Sequence, residues 1–271
     1  MSSNRGWEPN DIDWRWSIDL PSAKEWLENL PSSYGKPAGV SVLDWLKIEN
    51  QGSVGACAGF SSTTVGEIAY FVAKREVKQF SPMFAYIGTQ KKIDGIYGDR
   101  GSTISGQVEF AQTYGYCFES TWPYPGKYES RIPKRCFEEA EELNWKIQTA
   151  LRIETYEDVL KFLENGQGSI ICGSSWFHDL DADNYRVETI NTRRGGGGHA
   201  YTLCEESDIL DRHNNPYILM ANSWSTRWGN QGYKLISSTA IDQILSHNYT
   251  VAIGMTDLSV PMSRERVRFS F

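Results

Sequence analysis

Asn50-Gln51-Gly52-Ser53-Val54-Gly55-Ala56-Cys57 is the stretch from which the rest of the chain can be read. From Cys57 onward, Phe60, Thr64, Ile68, Phe71 and Val72 recur at helical spacing and mark one buried stripe. The spacing predicts a long helix beginning at about Cys57. A thiol at a helix N-terminus sits where the dipole favours the thiolate, the form that attacks carbonyl carbon.

Two downstream segments supply the partners such a thiol needs. His199 lies in Gly197-Gly198-His199-Ala200, and Asn222 in Ala221-Asn222-Ser223-Trp224. A histidine takes the thiol proton and later protonates a leaving amine. An asparagine amide orients the imidazole through a hydrogen bond. Gln51, upstream of Cys57, carries an amide that can donate to an oxyanion. Cys57, His199, Asn222 and Gln51 are therefore the candidate catalytic residues of a thiol acyl-transfer enzyme.

At these residues the chain resembles the papain-like cysteine peptidases. Gln51-Gly52-Ser53-Val54-Gly55-Ala56-Cys57-Ala58 is similar to the family run Gln-Gly-x-Cys-Gly-Ser/Ala-Cys-Trp. His199 and Asn222 follow Cys57 by 142 and 165 residues, near the family's ~130–150. Asn222-Ser223-Trp224-Ser225-Thr226-Arg227-Trp228-Gly229-Asn230-Gln231-Gly232-Tyr233 resembles Asn-Ser-Trp-Gly-x-x-Trp-Gly-x-x-Gly-Tyr, the most specific match in the chain. The resemblance covers roughly residues 40 to 256. It implies hydrolysis of a peptide or protein substrate, with Gly55, Gly101, Ser102, Gly198 and Trp224 at the substrate. Gly101 and Ser102 occupy the position of a glycine-rich cleft wall, and Trp224 covers the Asn222–His199 pair. No cofactor is implied.

Four positions depart from the family. Val54 stands where secreted members have a disulfide cysteine, Ala58 replaces a tryptophan, Ser225 replaces a glycine, and Gly198 precedes the histidine where Asp is common. None removes a triad function. Together with Tyr114 to Tyr124 they resemble a bacterial or phage-type branch.

Composition narrows the partners. A net charge of −7 argues against nucleic-acid binding. No apolar run approaches the ~18–20 residues that span a bilayer. The polar start Met1–Glu8 has no secretory h-region, and five cysteines is an odd count, so the expectation is free thiols in the cytoplasm or a phage virion. Cys172 and Cys204 sit in apolar runs and read as buried strand residues, while the spacing of Cys117 and Cys136 does not decide whether they meet. No Cys/His pair has zinc-ligand spacing. Asp179-x-Asp181-x-Asp183 is patterned like a calcium loop but lacks its glycine, and Ile190 stands at the twelfth position, so no metal is expected.

The predicted organisation is an N-terminal arm (1–38), a core (39–256) and a C-terminal tail (257–271). The arms, four tryptophans in the first among them, are where a protein partner is expected, and the N-terminal arm is expected to leave Cys57 uncovered. Helices are predicted over Ser22–Leu30, from Ser81-Pro82 to about Gln90, from after Thr103 to Tyr114-Gly115, over Phe137–Asn144, and over Tyr156–Asn165. Strands are predicted at Ser169–Cys172, Ala200–Cys204, Tyr217–Asn222, Tyr233–Ile236 and Val251–Gly254. This is α+β: a helical lobe (about 50–150), an antiparallel barrel-like lobe (about 151–256), and an active site between them. The function expected is a cysteine-type peptidase. The alternatives are an acyl transferase or amidase acting on isopeptides or cell-wall peptides, and an inactive structural module of a phage particle.

Overall fold

The computed structural model describes residues 20–24, 40–166 and 168–257. Most of the two arms lies outside that range, and so does the expected helix at Ser22–Leu30 beyond Ala23 and Lys24. Within it, the chain enters along one sheet edge: Ser22 bridges Arg152 in parallel, Arg152 N–H donates to Pro21 O at 2.8 Å, and Ala23 is fully buried.

The helical region comprises α1 (Cys57–Lys74), α2 (Pro82–Thr89), α3 (Ile104–Thr113) and α4 (Lys134–Leu143). Their starts follow local chemistry. Ser81 accepts Phe84 N–H, with Pro82 in the first turn. Thr103 accepts Gly106 N–H at 2.9 Å. Gln90–Asp94 extends α2 by one π-type turn, which Gly95 closes in the left-handed region at φ 67°.

A seven-stranded sheet follows: β1 (Thr149–Arg152), β2 (Gly168–Phe177), β3 (Arg186–Val187), β4 (Gly195–Leu210), β5 (Pro216–Ala221), β6 (Tyr233–Ile236) and β7 (Val251–Thr256). Their order is β1-β7-β2-β4-β5-β6-β3, and every pairing is antiparallel except β3 with β6. Two helices interrupt the strands. In α5 (Tyr156–Glu164), Thr155 and Asp158 form a reciprocal capping box worth about 1 kcal/mol. In α6 (Ser238–Leu245), the Ser237 side chain accepts Ala240 N–H.

The sheet is covered on both faces. On one side α1 buries Cys57, Ala58, Val65 and Ala69 with Ile171, Ala200 and Ile253 of the strands. On the other, Val159 and Phe162 of α5 and Ala240, Ile241 and Ile244 of α6 pack on Ile170, Cys172, Trp176 and Ile218. The outer face of α1 meets α2 and α3 through Phe60, Phe84, Tyr86 and Phe110. Gly59 lets α1 and α2 touch: a Cβ there would lie 2.8 Å from Tyr86 Cβ and 2.9 Å from Pro82 O.

Candidate active site

Cys57 is the first residue of α1, fully buried, after Ala56, which provides no side-chain cap. One turn on, Ser61 Oγ donates to Tyr201 O at 2.7 Å and lies 2.9 Å from Thr202 Oγ1. These bonds fix the N-terminal end of α1 against β4 just past His199. The thiol end of the helix and the imidazole therefore belong to one corner of the interface.

His199 is fully buried and faces Ser174 across the β2–β4 ladder. Its Nε2 is 2.8 Å from Asn222 Oδ1. The same oxygen accepts Ser223 N–H at 2.7 Å. A backbone N–H can only donate, so this atom is the amide oxygen, and Nε2 must carry the hydrogen it shares. In the neutral ring the lone pair is then on Nδ1.

Indole rings surround the pair. Trp224 lies over the imidazole at 4.5 Å with the planes 34° apart, and Trp176 meets it edge-on at 4.8 Å and 86°. Trp176 also touches Trp224 and Trp228, and its Nε1 donates to Asp181 Oδ1 at 2.8 Å. Excluding water this way lowers the local dielectric and strengthens the His199–Asn222 bond.

Gln51 is fully buried. Its segment pairs with the one carrying Asn222: Asn50 bridges Trp224, Gln51 N–H donates to Ser223 O at 2.8 Å, and Ser225 N–H donates to Glu49 O at 2.9 Å. Ser223 Oγ donates to Gln51 Oε1 at 2.6 Å, which identifies the amide oxygen, and Nε2 donates to Val54 O at 2.9 Å. Tyr124 OH donates to Gln51 O at 2.8 Å.

The other sequence-expected residues fall around this corner. Gly55 N–H donates to Asp99 Oδ1 at 2.8 Å. Gly101 is buried with φ 78°, in the left-handed region that glycine favours. Ser102 is buried and accepts Gln107 Nε2 at 2.9 Å. Gly198 is buried opposite Ser175 in β2. Val54 packs with Met83, Phe84 and Trp122, so its position is filled by apolar contact.

Behind Gln51 lies a group of carboxyls. Burial, reinforced by the charge of Glu119 and opposed by Lys47, pushes Glu49 up to about 8. Burial likewise raises Glu67, on α1, with Glu49 adding, although Glu67 Oε1 accepts Phe80 N–H at 2.9 Å. Of the Asp179/Asp181/Asp183 run, Asp181 is engaged by Trp176 and Asp179 Oδ2 accepts Asn191 N–H at 2.9 Å.

Sequence reasoning did not identify Trp176, Ser223, Tyr124 or Asp99 as parts of the site. Trp176 had a signal: with Ile170, Cys172 and Ser174 it continues one face of β2 at period two. Ser223 and Tyr124 act on Gln51 across separations of 172 and 73 residues, where no local pattern operates.

The family model described as papain family cysteine protease matches residues 41–252. An uncharacterized peptidase C1-like protein of Acanthamoeba polyphaga mimivirus is 26% identical over 230 residues, which cover 77% of this chain and 70% of that one. Peptidase 1 of Dermatophagoides pteronyssinus is 25% identical over 218 residues, covering 76% of this chain and 61% of that one. Among solved structures, xylellain, a cysteine protease from Xylella fastidiosa, shares the fold with a TM-score of 0.70 at 20% identity, over 96% of this chain and 98% of that one. Bromelain from Ananas comosus superposes with a TM-score of 0.59 at 17% identity, over 80% and 97%. The family match spans both the helical region and the sheet, and with it this chain belongs to the papain family of cysteine proteases.

Proposed function

We propose that the chain hydrolyses peptide bonds with Cys57 as nucleophile, His199 as general base and then general acid, and Asn222 as the residue that orients His199. The observation that carries this reading is the Nε2-to-Oδ1 bond between His199 and Asn222, which leaves Nδ1 as the basic atom at the corner where α1 begins. The Cys57 thiol proton passes to Nδ1, and the sulfur attacks the carbonyl carbon. The oxyanion takes hydrogen bonds from the Cys57 N–H and from the Gln51 side-chain amide. The C–N bond then breaks, the imidazolium gives its proton to the leaving amine, and a thioester remains. Water attacks the thioester, its proton goes to His199, and the thiol returns. Gly101 and Ser102 line one side of the substrate backbone and Gly198 the other.

The test is turnover of a mixed peptide library by the wild type and by Cys57→Ala. The variant is expected to lose ~10⁴-fold or more while its circular dichroism stays unchanged. Turnover retained by the folded variant contradicts the assignment. Running the same assay with an added amine separates hydrolysis from acyl transfer, because only transfer gives the amide adduct as the main product.

A further inference from the structure

The nucleophile loop and the cleft wall are joined through one carboxylate oxygen. Asp99 Oδ1 accepts Gly55 N–H at 2.8 Å, two residues before Cys57. The same oxygen accepts the Tyr86 hydroxyl at 2.9 Å. That hydroxyl in turn accepts Gly101 N–H at 3.1 Å and Gln90 Nε2 at 3.2 Å. A phenol has one hydrogen to give and can take these two, so the direction of the chain is set and Tyr86 must donate to Asp99. The two Gln90 Nε2 hydrogens are shared among Tyr86 Oη, Gly98 O at 3.0 Å and Gly101 O at 2.7 Å, so this amide lies against both ends of the Gly98–Gly101 turn.

We propose that Asp99 is a positioning residue for the peptidase reaction: its carboxylate brings the Gly55–Cys57 loop and the Gly101–Ser102 wall into register on one peptide backbone. This rests on the peptidase reading for its functional consequence. The geometry makes the brace specific. Both elements hang from α1 and α2, which Gly59 holds in contact, but the loop before Cys57 and the turn at Gly101 lie outside those helices. Of the atoms that link the two, Asp99 Oδ1 is the one both sides share. Burial and the Asp99 charge also push the Tyr86 phenol up, which keeps its hydrogen on the bond. Asp99 does not touch the reacting atoms. It sets where the Cys57 N–H and the wall stand relative to each other.

The experiment compares the wild type, Asp99→Ala, Asp99→Asn and Tyr86→Phe. For each, it reads kcat and KM on an extended peptide, Cys57 alkylation by iodoacetamide, and hydrogen exchange at the Gly55 and Gly101 amides. Asp99→Ala is expected to lose roughly 10–100-fold in kcat/KM, the cost of misplacing reacting groups, while alkylation by the small reagent changes by less than about three-fold. Its Gly55 and Gly101 amides exchange faster. Asp99→Asn keeps an oxygen acceptor and restores both turnover and protection to within about three-fold. Tyr86→Phe keeps the Gly55 bond and releases Gly101, so KM rises with little change in kcat.

If Asp99→Ala does not fold, Asp99→Asn and Tyr86→Phe still decide. The proposal is overturned if Asp99→Ala turns over peptide as the wild type does, if Asp99→Asn is as impaired as the alanine variant, or if Tyr86→Phe leaves KM and Gly101 protection unchanged. The exchange measurement needs no turnover. A wild type inert on every peptide therefore sinks the peptidase reading alone, while unchanged Gly55 and Gly101 exchange in all three variants sinks the brace.

Discussion

His199 gives the hydrogen on Nε2 to Asn222 Oδ1 at 2.8 Å, an oxygen that Ser223 N–H identifies by donating to it at 2.7 Å. In the proposed mechanism the imidazole becomes cationic during attack, so this bond is weaker in the resting enzyme than in the transition state. Hydrogen bonds to charged groups contribute about 1.5–3 kcal/mol. Asn222→Ala is therefore expected to lower kcat roughly 10–100-fold with a small change in KM. Single-turnover acylation rates check this. A variant with normal acylation contradicts the orienting role.

Gln51 is held on three sides, by Ser223, Val54 and Tyr124. In the proposed mechanism Gln51→Ala removes one oxyanion donor, and kcat is expected to fall about 10²–10³-fold, more than KM changes. Ser223→Ala keeps the donor but releases the amide oxygen. The loss of a neutral hydrogen bond of about 1 kcal/mol predicts a decrease of roughly five-fold. Equal effects from the two variants would mean that the amide matters for packing and not for the oxyanion.

The legible parts of the fold were those written locally. Ser81-Pro82 and Thr103 announce helix starts locally, and α2 and α3 begin there, while α5 begins at Tyr156 as expected. The α4 helix starts at Lys134, earlier than Phe137, because Pro133 at its N-cap was not read as a start. α6 was missed although Ala240, Ile241 and Ile244 fall on one face after Ser237, since eight residues carry little periodicity. β1 was missed because a four-residue strand is defined by its partner β7, about a hundred residues away. The strand expected from Ala200 begins five residues earlier, at Gly195, because glycines of that run pair with Ser175–Phe177 past a bulge. Cys57, His199, Asn222 and Gln51 each sit in a distinctive local run, and the structure pairs His199 with Asn222 and Gln51 with Ser223. The ties that hold them, such as Gly55 to Asp99 across 44 residues, have no local signature.

Glu49 supplies a pH dependence whose sign is determined. Its carboxyl moves from 4.5 in the unfolded chain to about 8 in the fold, with Glu67, Glu119 and Lys47 facing it. Between those values the native state holds a proton that the unfolded state has released. Stability therefore falls as pH rises through this window and levels off above it. Glu49→Gln mimics the protonated side chain, so its advantage over the wild type should be small near pH 5 and largest at or above about pH 8. Urea midpoints at both pH values measure it. A pH-independent difference refutes the buried neutral carboxyl.

None of the five cysteines is in a disulfide, and Cys117 and Cys136 share one apolar cluster inside the helical region. Reducing agent is expected to preserve or raise activity and to leave the melting temperature unchanged, because no covalent link contributes to the fold described. Thiol titration of the denatured protein should count five. A large fall in melting temperature on reduction would mean that this pair is bridged.

The most direct test of the central claim is to treat the protein with one equivalent of a thiol-reactive peptide probe and map the adduct by mass spectrometry. The account predicts a single adduct on Cys57 and, in parallel, loss of peptide turnover. It also predicts no adduct on Cys117, Cys136, Cys172 or Cys204, which are buried within the apolar clusters of the fold. Modification at any of those four with Cys57 untouched, or full turnover by protein quantitatively labelled at Cys57, would contradict it.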